Sequence, residues 1–363
     1  MVKILKLDWL MLVVALLLLT IGLAALYSVS FSRNEFNSEY FVKQIIAILI
    51  GIGIMFLLAL YDYRAFGFFS TRLYLITVLI LFGVIYFGVE ARGTTGWFGI
   101  SGFNFQPVEL TKLVMIIFLA NFLSKKKNEL SIWVKIFSST ILIFIPVFLI
   151  LKQPDFGSAI IIIGIWLGMF LVSGIDKKNL IIFVSIILVA FFSSWLFLRD
   201  YQKDRIKNFI NPYNDPRGSG YNVIQSIVAV GSGGVWGKGL GHGSQSQLNF
   251  LPEKHTDFIF AAIGEELGFW GSALVLGLFG VLLYQMKNIA RFARDNVGYL
   301  MSVGIMIMFI LQIFINIGMN IGIAPIAGVP LPLLSYGGSS IIIMLASLGI
   351  LQSIYIRKIK TLD

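Results

Sequence analysis

The feature that most limits what this chain can fold into is a succession of long, nearly uncharged apolar runs. A helix that crosses a bilayer needs about 20 consecutive, mostly apolar residues. Runs of that kind lie near 9–30, 41–60, 72–89, 107–123, 135–151, 157–174, 179–198, 257–285, 298–321 and 338–356. Several are apolar all round, such as Leu180 to Leu198, as expected of helices solvated by lipid. The expectation is an all-α polytopic membrane protein of about ten transmembrane helices, one membrane domain over residues 1–363. The first run, Trp9 to about Tyr27, is too long for a signal-peptide core and ends without an A-x-A-like site, so it reads as a retained span.

Composition narrows the function. Of 363 residues, 58% are hydrophobic and only 13% charged, against about 25% charged in soluble domains. The net charge of +10 could suggest nucleic acid, but its distribution reads as basic loops that fix orientation in a membrane. With the N-terminus in the cytoplasm, sixteen Lys and Arg fall in cytoplasmic segments and four in short external ones. Both termini are therefore expected in the cytoplasm. One large extracytoplasmic loop, about 199–256, is expected between helices 7 and 8, and its seven basic residues count little in this rule. There is no Cys, and His242 and His255 are the two histidines, which excludes disulfides and thiolate metal sites and argues against a multi-histidine centre.

Ionisable residues in or beside spans are costly and are functional candidates by default. Gln106-Pro107-Val108-Glu109-Leu110-Thr111-Lys112 opens the fourth span. Glu109 and Lys112 share a helix face, either as a charge pair holding helices together or as a substrate contact. Gln153-Pro154-Asp155 opens the sixth span, with Asp155 an N-cap or an acid beside a polar cavity. Leu251-Pro252-Glu253-Lys254-His255-Thr256-Asp257 opens the eighth, and Asp257 carries the same two readings. Glu265 and Glu266, about 12 Å further along that helix, need partners and read as structural or cavity-lining. Between the last two spans, Asn320 to Ser340 holds three prolines and four glycines and no charge. Such a run cannot be continuous helix; it is expected as a re-entrant turn that could wall a groove. The glycine-rich stretch Gly231–Gly243 is not a phosphate-binding P-loop, because Gly239 stands where Ser or Thr must follow Lys238. His255 and Asp257 lack the G-x-S-x-G elbow of a serine hydrolase.

On these motifs the chain resembles, over essentially its whole length, the RodA/FtsW family of shape, elongation, division and sporulation (SEDS) proteins. The resemblance is carried by Asn211-Pro212 through Gly218-Ser219-Gly220-Tyr221-Asn222, by Gln245-Ser246-Gln247, by Pro252-Glu253-Lys254-His255-Thr256-Asp257-Phe258, and by Pro330-Leu331-Pro332 to Ser335-Tyr336-Gly337-Gly338-Ser339-Ser340. The short N-terminus and Ala324 to Pro332 resemble RodA more than FtsW. The resemblance implies a peptidoglycan glycosyltransferase that polymerises lipid II at the outer face of the bacterial cytoplasmic membrane. Asp257 would be its essential acid, with Glu109, Lys112, Asp155, Glu253, Ser335 and Tyr336 as supporting positions. It also implies a class B penicillin-binding protein as transpeptidase partner, other elongation or division machinery, and no nucleic acid. The pattern departs at one place: many relatives carry Arg before the Trp of the third external segment, where this chain has Gly96 before Trp97, so that a phosphate contact by that Arg is either taken over by Arg92 or absent.

In that reaction the 4-hydroxyl of one lipid-linked sugar attacks the anomeric carbon of another, with inversion, and undecaprenyl pyrophosphate departs. A positioned base assists a hydroxyl nucleophile by about 10²–10⁴-fold, and Asp257 is the candidate. The leaving group needs cationic stabilisation, from Lys112, Arg92 or Arg217 in that order, or from a divalent cation such as Mg or Mn. Pyrophosphate is already a good leaving group, so no paired acid is obligatory. Two rivals are a lipid II flippase, which needs a polar path across the whole membrane, and a non-enzymatic scaffold for cell-wall synthases.

Overall fold

The computed structural model describes residues 6–32, 35–36, 38–91, 94–100, 103–124, 132–174, 219–248, 250–251 and 253–358, with isolated positions between 179 and 212. Apolar runs become helices where nothing interrupts them. These are α1 (Trp9–Ser30), α2 (Ser38–Leu60), α3 (Tyr63–Phe87), α4 (Pro107–Ser124), α5 (Ile132–Lys152) and α6 (Phe156–Val172). Beyond them follow α7 (Ser219–Ser232), the short α8 (Ser244–Gln247), α9 (Ile259–Arg291), α10 (Asn296–Asn320) and α11 (Gly338–Ile356). Among the described residues, eight helices are long and apolar enough to cross a membrane, and α6 is a shorter apolar one. The chain is thus an all-α polytopic membrane protein. The expected seventh span, 179–198, lies outside the described residues.

The helices divide by what solvates them. Those of the centre, α4 and α11, are buried for about four-fifths of their apolar windows. Those of the rim turn large apolar side chains outward, such as Leu49, Phe68, Leu79 and Phe144, a pattern that only lipid tolerates on this scale. α2 packs along α11, α3 along α4, and α10 touches α4, α6 and α9.

Three local features differ from the expectation. First, α3 starts at Tyr63 rather than near 72, because Asp62 caps it by accepting from the Arg64 N–H at 3.0 Å. Second, the segment after α3 is a small antiparallel sheet of β3 (Val89–Ala91), β4 (Thr94–Ile100) and β5 (Phe103–Phe105). A two-stranded ribbon, β1 (Phe31–Ser32) with β2 (Glu35–Phe36), follows α1. Third, α9 is broken at Gly268, whose φ of 66° and ψ of −157° are open to glycine alone. The glycine-rich turn after α7 docks on the break. Phe269 N–H donates to Gly234 O at 2.9 Å, and Lys238 and Gly239 N–H donate to Glu265 O and Glu266 O at 3.0 and 2.9 Å. The turn thereby pairs backbone groups that the break removes from the helix ladder.

The run between α10 and α11 is irregular, as its prolines and glycines require. Its second half is buried, with Leu331, Leu333, Leu334 and Ser335 inside. It lies so close to the start of α6 that a Cβ on Gly157 would fall 2.1 Å from Ala327 O. Glycine at that position is therefore what lets the run close over the end of α6.

Candidate active site

Where the irregular run crosses the starts of α6 and α9, it encloses a cavity of about 320 Å³. Asp155, Glu253, Asp257 and Tyr336 line it, with Gln106, Trp97 and Ser339. Four expected site residues from three separate stretches of chain therefore share one space. They reach it because α4, α6 and α11 all begin at this end, and α9 begins just after Asp257.

The N-cap of α9 is Phe258, whose side chain makes no capping bond. The backbone of Asp257 is held from below. Asn316 and Asn320, both buried on α10, donate their side-chain amides to its carbonyl at 3.1 and 2.9 Å. Asn316 also donates to Val329 O at 2.8 Å, and the Asn320 carbonyl oxygen accepts the Ala261 N–H at 3.0 Å. Two amides one turn apart thus tie the start of α9 to the irregular run. The carboxylate lies beside Gly328, where a Cβ would stand 3.8 Å from Oδ2.

Asp155 meets both of its readings. Oδ1 accepts the Ser158 N–H at 3.0 Å as the N-cap of α6, while Oδ2 accepts from the Gln106 amide at 3.4 Å and the residue lines the cavity. Glu253 accepts from the Thr256 hydroxyl at 3.1 Å. The Tyr336 N–H donates to His255 O at 2.9 Å, and its ring stands 5.0 Å from Tyr40, which in turn stands 5.0 Å from His255. Ser335 is placed behind the wall: its hydroxyl donates to Thr256 O at 2.6 Å and accepts the Leu331 N–H at 2.8 Å. Its role is to pin the irregular run to the segment carrying Asp257.

Glu109 and Lys112 are not brought to the cavity. They pair at 2.6 Å within α4, each side chain 1% exposed, and neither lines the space. The expectation that Lys112 neutralises a leaving group is not met by this geometry, because its ammonium is closed in against Glu109. Arg92 and Arg217 lie outside the described residues. Among the described residues, no group of three His, Asp or Glu is arranged to hold a metal ion.

Glu265 and Glu266 turn away from the cavity and anchor the glycine-rich turn. Glu265 accepts the N–H groups of Gln245 and Ser246 at 2.9 and 3.0 Å and the Lys238 ammonium at 2.8 Å. Glu266 accepts from the hydroxyl of Ser28 on α1 at 2.7 Å, and that oxygen accepts the Gly241 N–H at 2.8 Å. Lys254 completes the layer by donating to Ser246 O at 2.6 Å. Burial pushes its ammonium below the usual lysine range, opposed by the charge of Glu266.

Sequence reasoning missed Asn316. Its signal was an amide one turn before Asn320 on an otherwise apolar helix, a spacing that puts both on one face. It also left Trp97 and Thr256 without a role, though both line the cavity.

Fold and site together define a polytopic membrane protein with an acidic cavity at one end of its bundle. A family model described as "Cell cycle protein" (FtsW/RodA/SpoVE) matches residues 8–359, and the chain belongs to that family. It is similar to stage V sporulation protein E of Bacillus subtilis, 39% identical with 96% of each chain covered. It is equally similar, at 39%, to peptidoglycan glycosyltransferase MrdB of Escherichia coli, over 87% of this chain and 85% of MrdB. Among solved structures, it matches a chain described under "Structural coordination of polymerization and crosslinking by a peptidoglycan synthase complex" with a TM-score of 0.81 and 30% identity, covering 96% of this chain and 97% of that one. It matches the rod shape determining protein RodA of Thermus thermophilus at 0.73 and 27% identity, covering 98% of each.

Proposed function

We propose that the chain is a peptidoglycan glycosyltransferase, that it polymerises lipid II in the cavity bounded by Asp155, Glu253, Asp257 and Tyr336, and that this cavity opens on the outer face of the cytoplasmic membrane as part of one domain spanning the chain. One observation carries the reading. An aspartate at the boundary of a membrane span lies in the wall of a polar cavity, its backbone carbonyl held by two buried asparagines. The names of the relatives support the activity. The excess of Lys and Arg at the opposite end of the helices supports the outer placement.

In this reading Asp257 takes the proton of the acceptor 4-hydroxyl as that oxygen bonds to the donor's anomeric carbon and the bond to pyrophosphate breaks. Asp155, oriented by Ser158 and Gln106, holds a second negative charge in the same cavity. Tethering both sugars by lipid tails between helices keeps the reacting groups at one depth and lowers the entropy cost of encounter. The RodA-like run Ala324 to Pro332 supports a role in elongation. The complex among the structural neighbours supports a transpeptidase partner of the class B penicillin-binding kind.

The test is incubation of the purified, partner-free protein with lipid II, with glycan length read on a gel. A ladder of strands is expected. Folded protein that makes no strands, yet translocates fluorescent lipid II across vesicles, would replace the enzyme with a flippase.

A further inference from the structure

At the end of the bundle opposite Asp257, a second cavity of about 660 Å³ opens between the start of α1, the last turns of α9 and the end of α11. Arg291 and Lys358 line it and are exposed. Among the described residues neither pairs with a carboxylate. The Arg291 guanidinium stands 5.6 Å from the Phe292 ring, and the Lys358 ammonium 4.0 Å from the Tyr355 ring. Asp8, the acid of the wall, is buried, and its Oδ1 accepts the Met11 N–H at 3.0 Å, capping α1. The cavity is therefore net positive. Trp9 and Tyr284 flank it, about half exposed, as amphipathic rings do at headgroup depth. Just beyond, α1 turns Leu10, Val13 and Leu17 outward.

We propose that this cavity binds an anionic phospholipid of the adjoining leaflet. Arg291 and Lys358 take the phosphodiester, the Asn288 amide faces the glycerol region, and an acyl chain lies along Leu10, Val13 and Leu17. A basic pocket between spans, with aromatic walls and an apolar exit, matches a charged headgroup with tails better than it matches a soluble anion. None of these residues takes part in the proposed glycosyl transfer, so the two readings stand or fall separately.

The test is native mass spectrometry of the full chain in detergent, titrated with dioleoylphosphatidylglycerol or dioleoylphosphatidylcholine. Two cations at the headgroup give an expected preference of roughly 30-fold for the anionic lipid. Arg291→Gln with Lys358→Gln should erase it. Lys43→Gln with Arg72→Gln, basic residues elsewhere on the bundle, should keep it. Both altered side chains of the cavity are exposed; should the double variant lose the wild-type elution profile, Lys358→Gln alone is expected to cut the preference several-fold. Equal retention of both lipids, or a preference that survives the double variant, overturns the proposal. Displacement of the lipid by inorganic phosphate at equal concentration also overturns it, in favour of a soluble anion.

Discussion

Asp257 and Glu265 sit eight residues apart at the start of one helix, yet their surroundings assign them opposite duties. Glu265 is enclosed: two backbone N–H groups and Lys238 converge on its oxygens, and the side chain is fully buried. Asp257 has its backbone fixed by two asparagines and its carboxylate at the wall of a cavity. The difference teaches that an acid in a span is not functional merely because it is expensive. What matters is where its surroundings place it, closed inside a hydrogen-bonded layer or in the wall of a cavity. Glu265 and Glu266 hold the glycine-rich turn on the break at Gly268; Asp257 faces a space large enough for sugar atoms.

The largest effect expected from this contrast is on stability. Glu265→Ala leaves two N–H groups without their acceptor and Lys238 without its counter-charge, a loss of about 3 kcal/mol, read as a lower midpoint in fluorescence-detected thermal unfolding. A midpoint equal to wild type would mean the turn is held by other contacts. A smaller effect is expected at the support of Asp257. Asn320→Leu removes an amide from the Asp257 carbonyl and an acceptor from Ala261, at a cost of about 2 kcal/mol. It should also slow glycan formation about tenfold, the equivalent of about 1.4 kcal/mol. Unchanged turnover would separate the asparagines from the site. The smallest structural effect is expected at Asp155. Asn caps a helix as well as Asp does, so Asp155→Asn should leave the midpoint within about 0.5 kcal/mol of wild type. If its charge serves the reaction, polymer yield falls about tenfold; full yield would make the residue a cap alone.

Much of this contrast is visible in the sequence, and the parts that are not share a cause. Nine of the expected spans appear as helices because apolar length is a one-dimensional property. Asp155 and Asp257 are legible because an acid at the edge of an apolar run has few bland explanations. The start of α3 is not, because Tyr63 to Thr71 mixes polar and aromatic residues and its cap, Asp62, acts through one backbone bond. The strands β3 to β5 escape notice because a short hairpin leaves little periodicity in seven residues. Asn316 and the partners of Glu265 are contacts across dozens of residues, and nothing in a linear pattern places them. Lys112 is legible in part: its pairing with Glu109, three residues away, follows from helix spacing, while the burial of the pair away from the cavity does not.

The most direct test of the central claim sets turnover against folding in a single variant, Asp257→Asn. The substitution keeps the size of the side chain and removes its capacity to take a proton. The account predicts that lipid II polymerisation by the purified protein falls by at least about 10²-fold while the thermal midpoint stays at the wild-type value. Strands formed at the normal rate by Asp257→Asn would contradict it.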